Sequence, residues 1–325
     1  MGDLRRVAVI GAGMAGLACA GALHAAGLQV DVFDKGRRAG GRLATRRVDG
    51  MQFDHGASYA DALGPAFGAV LAGMGAAGDA APWPAAGPGR WTGTPGMSAL
   101  AWHMEAGAGT IHVMRHAAFL HRDATGWMVR HLDAATARPG TVVDSGGLVA
   151  GPFDAVMLAL PSPQAVPLLC AIPHLFAQDA ARAGMAPCWT LMLAFAGPTG
   201  VPDLPQPGGA LAWIARDSSR PGRAAAPECW VAHAGPEWTR AHLEADAAAV
   251  QDALLRDFAA ATGIAGVPAY AAVHRWRYAR TDQPLGVPAQ WDADVGLGVC
   301  GDWCLGARVE DAFTSGQALA GMVSD

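Results

Sequence analysis

VAVIGAGMAGLACAGALHAAGLQVDVFDK, residues 7–35, decides the fold. Val7 to Ile10 is a short apolar run of the kind that forms a buried parallel strand. Gly11, Gly13 and Gly16 follow as G-x-G-x-x-G, and small residues then recur at helical spacing through Ala20, Leu23 and Gly27. A second strand, Val30 to Phe33, ends on Asp34. Each part has a physical reason. Gly11 permits a tight turn, Gly13 lets the backbone approach a pyrophosphate, and Gly16 lets the helix press on the strand. The helix N-terminus offers unpaired N–H groups and the positive end of its dipole to phosphate. Asp34 stands where a carboxylate can accept the ribose hydroxyls. A complete strand–turn–helix–strand–acid unit predicts a dinucleotide site.

A competing reading is a leader or a membrane span, because Arg5 and Arg6 precede an uncharged run to Leu28. The glycines at phosphate-turn spacing argue against it, and removal of the run would discard the strand that reaches Asp34. The expectation is a cytoplasmic protein with no membrane partner. A net charge of −5 without a basic cluster argues against nucleic acid. The 325 residues, 52% of them hydrophobic, suffice for one large or two medium domains. The six cysteines form no C-x-x-C pair, which favours reduced thiols over disulfides or zinc.

Further along, Gly40-Gly41-Arg42 places a forked guanidinium near the expected pyrophosphate. Asp54-His55-Gly56-Ala57-Ser58-Tyr59 follows. The Pro-rich stretch from Asp61 to Arg90 has no clear period. A helix is expected from Gly96 to about Ala106, a strand from Thr110 to His116 with Trp127–Val129 as its hairpin partner, and a loop over residues 134–151. Asp154 to Leu160 reads as another buried strand, stopped by Pro161. Strands are also expected at Trp189–Phe195, Ala210–Ala215 and Cys229–His233. Leu243, Ala247, Val250, Leu254 and Phe258 predict one apolar helix face ended by Gly263. Finally, Leu297 to Val299 runs into Gly301-Asp302, and Arg308 to Ala312 opens a last helix.

No H-e-x-x-H spacing and no G-x-S-x-G elbow occurs, so neither a metal site nor a serine nucleophile is expected. His55, His233 and His274 read as structural histidines, and Trp213, Trp276 and Tyr278 as candidates to hold a flat substrate ring.

Taken together, GAGMAG, Asp34-Lys35, GGR at 40–42, DHGASY at 54–59, GMSALAWHM at 96–104, LPSP at 160–163, HRWRY at 274–278 and CGDWCLGARVEDAFTSG at 300–316 resemble the flavin-dependent amine oxidase superfamily, and its renalase branch in particular. The resemblance implies an α/β fold: a Rossmann-like FAD-binding domain (1–60, 96–164 and 270–325) plus a smaller mixed α+β substrate domain (61–95 and 165–269), with amine oxidase/para-hydroxybenzoate hydroxylase-like topology. It implies non-covalent FAD held by Gly11, Gly13, Met14, Ala15, Asp34, Lys35, Gly41 and Arg42 around the ADP half. Ser58 and Tyr59 would lie beside the flavin, the Ala117 backbone at adenine, Asp302 at the ribityl chain, and the Val309 and Glu310 amides at the pyrimidine edge. A helix N-terminus at that edge stabilises the negative charge of the reduced ring.

Monoamine-oxidase-type relatives place a lysine near flavin N5, but the only lysine here is Lys35, beside the ribose acid. Cys300 and Cys304 lack the setting of a flavin tether and read as packing residues. The resulting expectation is an oxidase that takes hydride from a dihydronicotinamide-type substrate, an isomeric form of NAD(P)H, and passes the electrons to O2, giving H2O2. The alternatives are an amine oxidase or desaturase, and a non-catalytic FAD-binding protein.

Overall fold

The computed structural model describes residues 4–137, 143 and 145–324. The chain divides into two compact units: residues 1–41, 101–185 and 280–325 form the first, and 42–100 with 186–279 the second. Residues 42–60 therefore cluster with the second unit.

The first unit is built on a six-stranded sheet. Its order is Gln290–Asp292, Leu297–Val299, Ala155–Leu158, Arg6–Ile10, Gln29–Phe33 and Thr110–His112. All neighbours pair parallel except the Gln290–Asp292 edge. Val7, Ala8 and Val9 are fully buried, which explains why their run shows no polar alternation. Gly11 follows at φ +108°, where a Cβ would stand 2.6 Å from the Ala159 carbonyl oxygen, so the turn requires glycine. The helix Met14–Ala25 lies against the last helix, Val309–Ser324. At their crossing a Cβ on Gly316 would collide with the Ala15 carbonyl, and Gln317 Nε2 donates to the Ala18 carbonyl at 2.9 Å.

A three-stranded antiparallel sheet, Arg115–Asp123, Gly126–Asp133 and Leu148–Phe153, completes this unit. Phe33, Leu120, Trp127, Val129, Phe153, Val156 and Leu158 share one apolar cluster. The expected strand from Thr110 to His116 is instead two strands, because Met114 sits at φ +56° and turns the chain between them. Gly126–Asp133 pairs with the second of these. Leu148–Phe153 is a strand where a loop was expected; its edge position and exposed Leu148 and Val149 hide the apolar alternation. Part of that stretch, residues 138–142 and 144, lies outside the described residues.

The second unit carries a four-stranded sheet in the order Leu211–Arg216, Glu228–Ala234, Gly184–Phe195, Tyr270–Gln283, the first three pairing antiparallel. Helix Ala247–Thr262 buries Val250, Leu254 and Phe258 with Trp189, Leu191, Leu193 and Trp230. Asp246 caps it, its Oδ1 accepting from the Ala248 N–H at 2.9 Å, and Gly263 ends it at φ +72°. The cap shortens the expected stripe, since Leu243 precedes the helix. The Pro-rich stretch forms helix Pro65–Ala76 and a small sheet of Ala60–Asp61, Arg90–Gly93 and Ala80–Pro82. The helix Ser98–Glu105 follows.

Candidate cofactor and substrate sites

In the first unit, the helix start at Gly13 and the Gly40-Gly41 pair come together. Gly13 is the N-cap of the opening helix, no side chain caps it, and a Cβ there would meet nothing within 4 Å. The first amides of that helix lack intrahelical partners by construction. Gly40 donates its N–H to the Ala12 carbonyl at 2.8 Å, and Gly41, at φ +51°, lies against Gly13. Met14 and Ala15 are buried at the start of the helix. This open, amide-lined cradle fits a pyrophosphate.

Asp34 has a double duty. Its Oδ2 accepts the Ala12 N–H at 2.7 Å and its Oδ1 the Gly36 N–H at 2.6 Å. Burial pushes its carboxyl up, while those two N–H groups and Lys35 pull it back toward the charged form. Burial in turn lowers Lys35, against the pull of Asp34. A carboxylate has about four acceptor positions, so two remain for ribose hydroxyls. Asp302 is buried at the start of the one-turn helix Asp302–Leu305, and its Oδ2 accepts the Thr281 hydroxyl at 2.8 Å. Val309 and Glu310 begin the last helix, with Asp311 Oδ2 accepting the Arg308 N–H at 2.9 Å. Ala117 lies in the strand Arg115–Asp123 opposite His131. Cys300 and Cys304 are fully buried. Hydrogen bonding to Cys19, then burial, raises the Cys300 thiol, and burial pushes the Cys304 thiol up to about 12.

In the second unit, the two segments noted in the sequence are knitted together. The Arg42 carbonyl accepts the Ala57 N–H at 2.8 Å, a Cβ on Gly56 would collide with that carbonyl, and Arg42 Nη1 donates to the Ala279 carbonyl at 3.2 Å. The His55 carbonyl accepts from Trp276 Nε1 at 2.9 Å and from the Thr190 hydroxyl at 3.1 Å. The His55 ring meets His274 edge-on at 4.8 Å and Trp276 at 5.2 Å. Tyr59 lies beneath the Arg90 guanidinium at 4.1 Å and 5.7 Å from the Trp213 ring. The three aromatic candidates thus divide: Trp276 belongs to the His55 group and Trp213 to the Tyr59 group. Tyr278 lies two residues beyond Trp276 on the same strand, half-buried.

Four charged residues behind these groups had no signal in sequence reading beyond the short loop DSSRPGR, residues 217–223, and the Asp54 of DHGASY. Arg220 Nε lies 2.9 Å from Asp217 Oδ1 and Arg220 Nη1 lies 3.5 Å from Asp54 Oδ2. Arg223 pairs with Asp54 and approaches Asp217 at 3.9 Å. Asp54 Oδ1 also accepts the Thr45 hydroxyl at 2.6 Å and the Met97 N–H at 3.0 Å. Arg220 Nη1 donates to the Ser58 carbonyl at 2.5 Å, and its guanidinium lies 4.4 Å over Trp83. Two cations and two anions leave the cluster neutral in total. Burial pushes Asp217 up to about 6, opposed first by Arg220. Burial lowers His55 to about 4, helped by His274 and Arg46. It lowers His233 to about 4 as well, helped by Arg220 and His55. Both imidazoles are neutral at pH 7. Among the described residues, no group of His, Cys, Asp and Glu is placed to hold a metal, and no helix is long and apolar enough to cross a membrane.

Two family descriptions match the chain: "NAD(P)-binding Rossmann-like domain" over residues 9–72 and "Flavin containing amine oxidoreductase" over residues 84–323. Among curated proteins, protoporphyrinogen oxidase 2, chloroplastic/mitochondrial, of Arabidopsis thaliana is 41% identical over 71 residues, 22% of this chain and 14% of that protein. The putative flavin-containing monoamine oxidase AofH of Mycobacterium tuberculosis (strain ATCC 25618 / H37Rv) is 48% identical over 66 residues, 20% of this chain and 14% of that one. The matched stretch thus spans about one seventh of each relative's length. Two solved structures share the fold over 98% of both chains. They are a putative protoporphyrinogen oxidase from Exiguobacterium sp. 255-15, TM-score 0.76 at 13% identity, and wild-type putrescine oxidase bound to putrescine, TM-score 0.69 at 15% identity.

Proposed function

The chain belongs to the flavin containing amine oxidoreductase family, and from that premise we propose that it is an oxidase with non-covalent FAD whose substrate is a dihydronicotinamide-type donor rather than an amine. Bound FAD would supply the hydride acceptor, with O2 as the expected final electron acceptor, giving H2O2. The residues proposed to hold it are Gly11, Gly13, Met14, Ala15, Asp34, Lys35, Gly41 and Arg42 at the ADP half. Ser58, Tyr59, Ala117, Asp302, Val309 and Glu310 are proposed for its remaining contacts. Trp213, Trp276 and Tyr278 would orient the donor ring.

The observation that carries the substrate reading is the charge state of the second unit. An ammonium substrate calls for a carboxylate to receive it or a base to deprotonate it. Asp54 and Asp217 are both committed to Arg220 and Arg223. His55 and His233 hold so little affinity for a proton that they are weak bases. A dihydropyridine needs neither group, since its ring nitrogen lone pair expels the hydride; the protein has only to hold the ring in place. The test is anaerobic stopped-flow mixing of the yellow protein with isomeric dihydro forms of NAD(P) and with a panel of amines including putrescine. Bleaching of the flavin by the dihydro isomers is expected; bleaching by an amine alone would overturn the reading.

A further inference from the structure

Several buried polar atoms in the second unit have no hydrogen-bond partner, and four of them belong to neighbouring side chains: Arg220 Nη2, Trp83 Nε1, Trp213 Nε1 and His233 Nε2. Their adjacency is explicit. The Arg220 guanidinium lies 4.4 Å over the Trp83 ring, Trp83 meets Trp213 edge-on at 6.5 Å, and Trp213 stands opposite His233 in the antiparallel register. Cross-strand partners of this kind share a face, with Cβ atoms about 5 Å apart. Arg220 and Trp83 are each only 2% exposed. A buried polar atom without a partner costs roughly the full desolvation penalty of the group, so four such atoms on neighbouring side chains call for a partner that the chain itself does not supply.

From this arrangement, and resting on the dihydronicotinamide reading above, we propose that Arg220, Trp83, Trp213 and His233 form the recess for the primary carboxamide of the substrate's pyridine ring. The amide carbonyl accepts from the guanidinium and indole N–H groups, and the amide N–H2 donates to His233 Nε2.

Two features select an amide over a carboxylate. The first is tautomeric. His233 is neutral, because burial beside Arg220 lowers it to about 4, and it hydrogen bonds to the His55 backbone. An imidazole that donates Nδ1–H to a carbonyl presents a lone pair at Nε2, which accepts from an amide N–H2 and repels a carboxylate oxygen. The second is charge. Asp217 at 2.9 Å and Asp54 at 3.5 Å already answer Arg220, so the recess has no surplus cation to repay desolvation of an anion. A group that is half acceptor and half donor, flat and neutral, matches what is left.

The test uses the flavin-loaded protein and two isosteric probes, benzamide and benzoate, in a calorimetric titration at pH 7.5. Benzamide is expected to bind on the order of 1 mM, as a nine-atom ligand of ordinary efficiency would. Benzoate should bind at least tenfold more weakly. Trp213→Phe keeps the ring and removes one donor, and His233→Leu removes the acceptor; each should weaken benzamide about tenfold. If either variant fails to fold by circular dichroism, Trp83→Phe replaces it with the same expectation. Benzoate binding as tightly as benzamide overturns the proposal, as does benzamide binding that the variants leave unchanged. No binding of either probe overturns it too, and leaves ordered water as the occupant. The outcome is separable from the substrate reading. Benzamide binding without flavin bleaching by dihydro isomers refutes that reading and keeps the recess. Bleaching without benzamide binding does the reverse.

Discussion

The indole N–H of Trp276 donates to the backbone carbonyl of His55 at 2.9 Å, joining residues 221 positions apart in the chain. That single bond ties the strand Tyr270–Gln283 to the loop that carries Ser58 and Tyr59. The two rings also lie 5.2 Å apart, so the contact fixes both backbone and side chain.

Trp276→Phe keeps an aromatic ring and deletes the donor. A net hydrogen bond contributes about 1 kcal/mol, and the Thr190 hydroxyl still serves the same carbonyl. The melting temperature should fall by only about 2 °C. Flavin reduction should slow by far more, on the order of tenfold or greater, because the donor ring loses its alignment. Equal losses in stability and rate would make Trp276 merely a packing residue; paired thermal scans and anaerobic reduction rates decide it.

Asp34→Asn should be worse for FAD than Asp302→Asn. Both Asp34 oxygens accept backbone N–H groups, from Ala12 and Gly36; the asparagine amide oxygen can accept only one of these, while its NH2 opposes the other. Asp302 meets a hydroxyl, Thr281, that can rotate to accept instead. Loss of charge-assisted bonds worth roughly 1.5–3 kcal/mol predicts FAD affinity reduced about tenfold or more for Asp34→Asn. Equilibrium titration of the apoprotein with FAD measures it.

Flavin should leave the protein completely on acid precipitation, with a colourless pellet. Cys300 and Cys304 are sealed in the core with raised thiol pKa values, the opposite of what a reactive tether needs.

Stability should fall as pH drops from about 6.5 to about 4. His55 and His233 ionise at about 4 in the folded chain, below their ordinary 6.5. Unfolded imidazoles therefore bind protons that folded ones refuse, and their contribution, present above pH 6.5, is lost through that window. Each is worth up to about 3 kcal/mol by linkage. Asp217 opposes them: its folded pKa of about 6 lies above the ordinary 3.8, so its own contribution is greatest below pH 3.8 and is lost as pH rises through 6. Two imidazoles outweigh one carboxyl. His233→Gln should flatten the acid limb of a melting-temperature profile; an unchanged slope would mean that His233 is protonated in the fold.

Much of the first unit was legible because its demands are local. Gly11 and Gly16 answer backbone requirements that no other residue meets, Gly13 leaves open space beside the turn, and Asp34 follows at a distance set by one helix and one strand. The resemblance extended that reading to an α/β, Rossmann-like fold, and the structure has it. The Asp54–Asp217–Arg220–Arg223 cluster was not legible. Asp54 and Asp217 are 163 residues apart in sequence, and charges in a loop look the same whether they meet solvent or each other. The same holds for Gly316, an ordinary helical glycine in sequence that is required where Ala15 crosses it. Met114 hid its turn because a non-glycine residue at positive φ carries no local mark.

The order of the six-stranded sheet has a consequence for how the protein is made. Arg6–Ile10 is made well before its neighbour Ala155–Leu158, which pairs in turn with Leu297–Val299, and the helix that packs on Met14–Ala25 begins only at Val309. At about 5–20 residues per second, the glycine turn waits on the order of 15–60 s for the segment that covers it. Until then the strand Arg6–Ile10 has Gln29–Phe33 and later Ala155–Leu158 beside it, but the small-residue face of Met14–Ala25 has no helix on it.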